Sequence, residues 1–255
     1  MNNIAKAIDD FKVAVVTPYF EEDISTILSC HESVVSQTFK CRHILVADGA
    51  ANTAIRDWNV DHIVLERNYA DIGSTPRWMG CRHAIHLGVD VIAFLDADNW
   101  YEPDHIESLL DLGQQTGASF LTSGRMLRRL DDTVMGPCPI TDPANFIDTS
   151  CMMFLEEAFP QLSLWRDLPS YGHLIGDRIM LQAVHRAGLA TAFSSRHTVN
   201  YRCKRAGLYW QLQQEIPAEV TERPDYETAF ARWEADGNPP LHGSRNRQLE
   251  EQGKG

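Results

Sequence analysis

Val91-Ile92-Ala93-Phe94-Leu95-Asp96-Ala97-Asp98-Asn99 is the stretch on which the reading of the fold turns. Five apolar residues in succession suit a strand buried on both faces, as in a parallel sheet covered by helices. Two carboxylates follow at once, where such a strand would reach the sheet's carboxyl edge. Alone the acidic pair says little: among 20 aspartates in 255 residues, about one Asp-x-Asp arises by chance. Asp98 capping the following turn, with Asp96 merely solvated, would account for it equally well.

The same alternation extends in both directions. A β-branched run at 12–17 ends at Pro18, and Ile24, Ile27, Leu28, Val34 and Val35 then recur at helical spacing behind Asp23, a candidate cap. A second strand at 43–47 stops at Asp48-Gly49, and a third at 62–65 leads into a polar loop. Pro76 suits the first turn of a helix running to about Leu87, and Pro103 and Asp104 open another. This pattern predicts an α/β domain with a mainly parallel sheet and helices on both faces. Ligands bind such sheets at the carboxyl ends of the strands, where Thr17-Pro18-Tyr19, Asp48-Gly49 and Asp96-Ala97-Asp98 all fall.

The second half is less regular. Strands are expected at 119–128, 148–154, 190–193 and 198–202, and a helix at 177–187 ended by Gly188. Beyond Pro217 the chain is polar, with a helix-like piece at 226–235 and an end expected to be disordered. The expected organisation is one domain over 1–215, with a regular half at about 10–115 and a less regular half at about 116–215. A tail follows at 216–255.

Composition narrows the classes. Apolar residues make up 44% and charged ones 23%, as in ordinary globular proteins. A formal charge of −12 disfavours nucleic-acid binding. If the substrate is itself anionic, its phosphates must be met locally by a bound cation or a few arginines. No apolar run is long enough to span a bilayer and the start lacks a signal peptide's apolar core, so a cytoplasmic protein is expected, with peripheral membrane association left open. Six scattered cysteines without a C-x-x-C pair are expected to be reduced and mostly buried.

Residues 13–19, 44–49 and 92–99, in that order, resemble the inverting glycosyltransferases of family 2, which have the GT-A fold. Gly73-Ser74-Thr75-Pro76-Arg77-Trp78-Met79-Gly80 is similar to that family's Gly-x-x-x-Arg-Asn-x-Gly segment. The likeness runs over about 12–112 and more loosely to about 205. It implies transfer of a sugar from a nucleotide-diphospho-sugar, UDP-linked by preference, to a carbohydrate or other hydroxyl acceptor, with Mn2+ or Mg2+ as cofactor. Thr17, Pro18 and Tyr19 would line the nucleotide pocket, and Asp48 would bond the base. Arg77 would lie near the diphosphate, Asp96 and Ala97 near the nucleotide sugar, and Asp98 on the metal. Asp177, following Gly176, matches the place of the catalytic base, although a helix-opening Asp is also a common cap. Asp148 is the next candidate for the base, or an acceptor contact.

His197 stands where some GT-A enzymes supply a further metal ligand. Arg202, Lys204 and Arg205 could close over the diphosphate. Trp100 and Tyr171 offer aromatic faces to an acceptor. Two departures stand out: Ala47-Asp48 replaces an acidic pair, and Arg77-Trp78 replaces Arg-Asn.

Rival readings fare worse. A sugar-phosphate nucleotidyltransferase would carry a glycine-rich basic loop where this chain has Thr17-Pro18-Tyr19-Phe20-Glu21-Glu22-Asp23. An aspartyl-phosphate phosphatase would place its acidic pair after the first strand, and a dehydrogenase would need G-x-G-x-x-G. A non-catalytic nucleotide-sugar-binding protein of the same fold would lack the need for Asp177.

Overall fold

A computed structural model describes residues 8–241; the end expected to be disordered lies mostly beyond them. Strands β1 (Val13–Tyr19), β2 (Cys41–Ala47), β3 (Asp61–Val64) and β4 (Val91–Phe94) are mutually parallel in the order β3-β2-β1-β4. β1 and β4 are buried along their whole length, which is why their sequences are continuous apolar runs. The sheet continues through later strands: β5 (Trp100–Tyr101), β6 (Phe120–Arg128), β7 (Val134–Pro137), β8 (Met152–Leu155) and β9 (Thr191–Arg202). β8 runs antiparallel between β4 and β6, β9 is parallel to β6, and β5 is antiparallel to β9. The result is a single α/β domain with a mostly parallel sheet flanked by helices.

Strand periodicity sorts the side chains of β1 and β2 onto two faces. Val16 and Val46 meet α2 (Ser74–His86), and a Cβ on its Gly80 would lie 2.4 Å from Val16 Cγ1 and 3.2 Å from Val46 Cγ2. Glycine there lets the helix settle on the sheet. The opposite face meets α1 (Ile24–Val35), whose Ile27 packs with Tyr19, Leu45 and Ala47. The Asp23 carboxylate does not cap α1; its backbone oxygen takes the Thr26 and Ile27 N–H groups at 2.9 and 3.1 Å.

The second half departs from expectation in two places. Residues 148–154 are not one strand: Asp148 caps a 3-10 turn, Thr149–Cys151, before β8 begins. The two expected segments at 190–202 are one long strand, β9, whose register against β6 shifts beside Gly124. Helices α3 (His105–Thr116), α4 (Leu164–Asp167), α5 (Gly176–Arg186) and α6 (Ala206–Gln211) complete the body. α7 (Tyr226–Ala235) brings the chain back, with Ala229, Trp233 and Leu241 buried in the main core. All six cysteines are free thiols, and burial pushes the Cys41 thiol up to about 12. Among the described residues, no helix is long and apolar enough to cross a membrane.

Candidate active site

The loop after β4 is the centre of the site. It leaves the sheet at Leu95, whose N–H still bonds Val16 O at 3.1 Å, and turns at once through Asn99 N–H to Asp96 O at 2.9 Å. Ser150 Oγ holds the turn from the 3-10 turn before β8, lying within reach of the Asp96 N–H at 3.2 Å and of Asn99 Nδ2 at 3.1 Å. Each carboxylate of the pair has its own cation. Asp96 pairs with Arg77 of α2, whose Nη1 also donates to Ile72 O at 2.8 Å. Asp98 Oδ2 lies 2.7 Å from Lys204 Nζ. Arg202 ties the following segment to the same loop, through its N–H to Asn99 Oδ1 at 3.1 Å and Nη1 to Asp98 O at 3.2 Å. Ala97 is buried beside Tyr19 and contributes wall, not a binding group.

Around the expected nucleotide pocket, only part of the first motif faces the site. Pro18 lies beside Gly73, at the start of α2 and next to Arg77. Thr17 and Tyr19 point to the α1 face instead. Thr17 is fully buried, with Oγ1 2.9 Å from His43 Nε2, and His43 in turn meets His31 across 2.9 Å. Tyr19 is 3% exposed; its Oη accepts the Asn52 N–H at 3.1 Å and lies 2.7 Å from His62 Nε2. Its ring stacks on His62 and packs with Ile27, Leu45 and Ala47, so that it is buried rather than presented to a base.

Asp48 follows β2 at the sheet's carboxyl edge, holding the next loop through Oδ1 to the Tyr69 N–H at 3.0 Å, and burial raises its pKa above the ordinary carboxylate value. That loop is strained: Ala70, Ile72 and Gly73 have φ of 54°, 56° and 78°. A β-branched residue in the left-handed region is an outlier of the kind that clusters at binding sites. Asp71, between them, caps α2 through Oδ2 to the Thr75 N–H at 2.9 Å and leaves Oδ1 buried without a partner.

On the other side, Asp177 opens α5 and accepts its neighbour's N–H, from Arg178, at 2.7 Å. The Arg178 guanidinium lies 4.3 Å over Phe146 and 5.4 Å over Tyr226. Asp148 is close enough that the charges of Asp96 and Asp177 both act on it. Burial is the larger cause of its raised pKa, with Arg125 opposing. It is not open to an acceptor: Oδ1 takes the Ser150 N–H at 3.0 Å and Oδ2 is held by Arg125. Arg125, 1% exposed, is sandwiched between Tyr201 at 4.1 Å and Phe146 at 5.5 Å.

The two aromatic acceptor candidates are also engaged. Trp100 lies between the guanidiniums of Arg128 and Arg202, at 5.6 and 5.3 Å, and the Tyr171 hydroxyl donates to Asp236.

His197 is not brought to Asp98. Trp100 pairs with Asn200 and Tyr101 with Val199, so Arg202 stands opposite Asp98. His197 lies five residues back along β9, roughly 16 Å in an extended strand, against Gly124.

Sequence reasoning passed over Ser150, Asp71, Arg125 and Tyr226. An arginine in mid-strand was the available signal for Arg125; the others carry none that is local.

Among the described residues, no group of three or more His, Cys, Asp or Glu side chains could by itself hold a metal ion. Asp98 could offer a metal one hard oxygen ligand. It suits a magnesium-like ion, which binds through one or two carboxylates while phosphate oxygens and water fill the other positions.

Comparisons with known proteins bear on the family and the fold. The family model described as glycosyl transferase family 2 matches residues 14–152, more than half of the chain. No match is found among curated protein sequences. Similar solved structures include S. aureus TarS 1-349 in complex with UDP, at 12% identity and TM-score 0.56, covering 79% of this chain and 63% of that one. The same fragment in complex with UDP-GlcNAc gives 11% identity and TM-score 0.53, with coverage of 86% and 64%. The chain thus spans less than two thirds of those structures, and at such identity the likeness speaks for the fold. With the family model covering β1 through the start of β8, the chain belongs to glycosyl transferase family 2.

Proposed function

We propose that this protein transfers a sugar from a nucleotide-diphospho-sugar to a hydroxyl acceptor with inversion at the anomeric carbon. The observation that carries the reading is the meeting of Arg77, from the Gly73–Gly80 segment, with Asp96 at the carboxyl edge of the sheet. A fixed guanidinium and an acidic pair at one strand end suit a diphosphate and its sugar. UDP is the preferred nucleotide, since UDP and UDP-GlcNAc occupy the similar TarS structures.

In this reading the base rests near Pro18 and Asp48, and Arg77, Arg202 and Lys204 face the diphosphate. Asp98 would hold Mn2+ or Mg2+, which offsets negative charge on the departing diphosphate. Asp177 takes the proton from the acceptor hydroxyl as its oxygen attacks the anomeric carbon from the face opposite the leaving group. Arg178 and the Asp177 backbone turn hold that carboxylate in place.

A thermal-shift panel of UDP-, GDP- and dTDP-sugars, with and without Mn2+, tests the donor, because a specific ligand stabilises the folded state. Stabilisation by one sugar nucleotide followed by its turnover is the expected result. Binding without turnover, with any hydroxyl acceptor supplied, would instead favour a binding protein of the same fold.

A further inference from the structure

Asp98 and Asp96 carry two negative charges, and Lys204 and Arg77 balance them. The acid pair is therefore neutral before any donor arrives. A divalent cation alone gains little from such a pair and is repelled by the ammonium next to it. A metal with a donor diphosphate is different: it enters nearly neutral, and it brings phosphate oxygens to which the ammonium can move.

The local structure permits that exchange. The Lys204 side chain is 42% exposed and that of Asp98 22%, so water can replace each partner as the pair opens. The residues on either side are anchored: Arg202 bonds the 98–99 loop, Cys203 is fully buried, and Arg205 bonds the Tyr226 hydroxyl. Only the four-carbon lysine stem has to swing.

We infer that Lys204 is the resident counter-cation of Asp98, displaced when metal and donor bind together, and that it then pairs with the donor diphosphate. The inference rests on the proposed assignment of Asp98 to the metal. It makes metal binding dependent on donor, with Lys204 as a positioning residue for both.

The test measures Mn2+ binding by electron paramagnetic resonance, and Mn2+–UDP binding by calorimetry, in the full chain and in Lys204→Met, Lys204→Arg and Asp98→Asn. Thermal melts check that each variant is folded. Lys204→Met should bind Mn2+ alone about two- to fivefold more tightly, the scale of a partly exposed ion pair, and Mn2+–UDP less tightly. Lys204→Arg should keep the original order, and Asp98→Asn should lose Mn2+ binding. Unchanged Mn2+ affinity in Lys204→Met overturns the inference. So does the absence of Asp98-dependent Mn2+ binding in every variant, in which case continued sugar transfer would leave the transferase reading standing. The expected Mn2+ pattern without any transfer would support the inference and sink the transferase reading.

Discussion

Asp98 with Lys204 and Asp148 with Arg125 are ion pairs on the two sides of one site, and they differ in almost every physical respect. The first lies at the carboxyl edge of the sheet, open to water on both partners. The second is sealed: Arg125 is 1% exposed and stacked between two aromatic rings, and Asp148 also caps a turn. An exposed pair contributes little to stability and can be exchanged. A buried one costs several kcal/mol to break, because the remaining charge has lost both water and partner. In the proposed reading, the edge that takes the donor is thus free to rearrange, and the side that carries Asp177 holds its shape.

The strongest way to sharpen that contrast is to remove the group that the rigid side presents. Asp177→Asn should lower the rate of transfer by about 10²–10⁴-fold while leaving donor affinity unchanged, read by single-turnover kinetics and calorimetry. Undiminished transfer would break the assignment of the base. Arg125→Met should destabilise the fold by about 3–5 kcal/mol in urea unfolding, and adding Asp148→Asn should recover most of the loss. Equal instability in the single and double variants would mean that the pair's charge is not what matters.

Acid should expose a second buried set. His43 and His105 are held neutral, with pKa pushed down to about 3, mainly by burial. The unfolded chain binds their protons below the ordinary value of 6.5, whereas the folded chain does so only near 3. Stability from these two groups is therefore whole above pH 6.5 and falls as the pH drops toward 3. Between pH 7 and pH 5 the loss should be about 2 kcal/mol for each histidine, and His43→Gln should remove its share. An acid limb of the same steepness in that variant would place the titration elsewhere.

A last effect belongs to the helix that carries Arg77. Gly80→Ala should cost about 1–3 kcal/mol, because its Cβ meets Val16 Cγ1. It should also weaken donor binding, since Arg77 rides on the same helix. Loss of stability without loss of donor affinity would separate the helix's packing from its role in the site.

How far the sequence could be read follows from the reach of each interaction. β1 to β4 and the turns at Asp48-Gly49 and Asp96–Asn99 were legible, because burial pattern and turn chemistry are local. Thr17 and Tyr19 were assigned to the pocket with Pro18, although side chains one apart on a strand face opposite ways. The structure gives them to His43 and His62. His197 was brought to the metal by its place in the chain, but the β5–β9 register puts Arg202 there.

The sequence by itself determined that buried parallel strands end in an acid loop, since apolar runs and the carboxylates after them act over a few residues. Only the tertiary structure decided which cation each carboxylate meets. Arg77 for Asp96, Lys204 for Asp98 and Arg125 for Asp148 all arrive from distant elements, and nothing in the local chemistry of an aspartate selects among them.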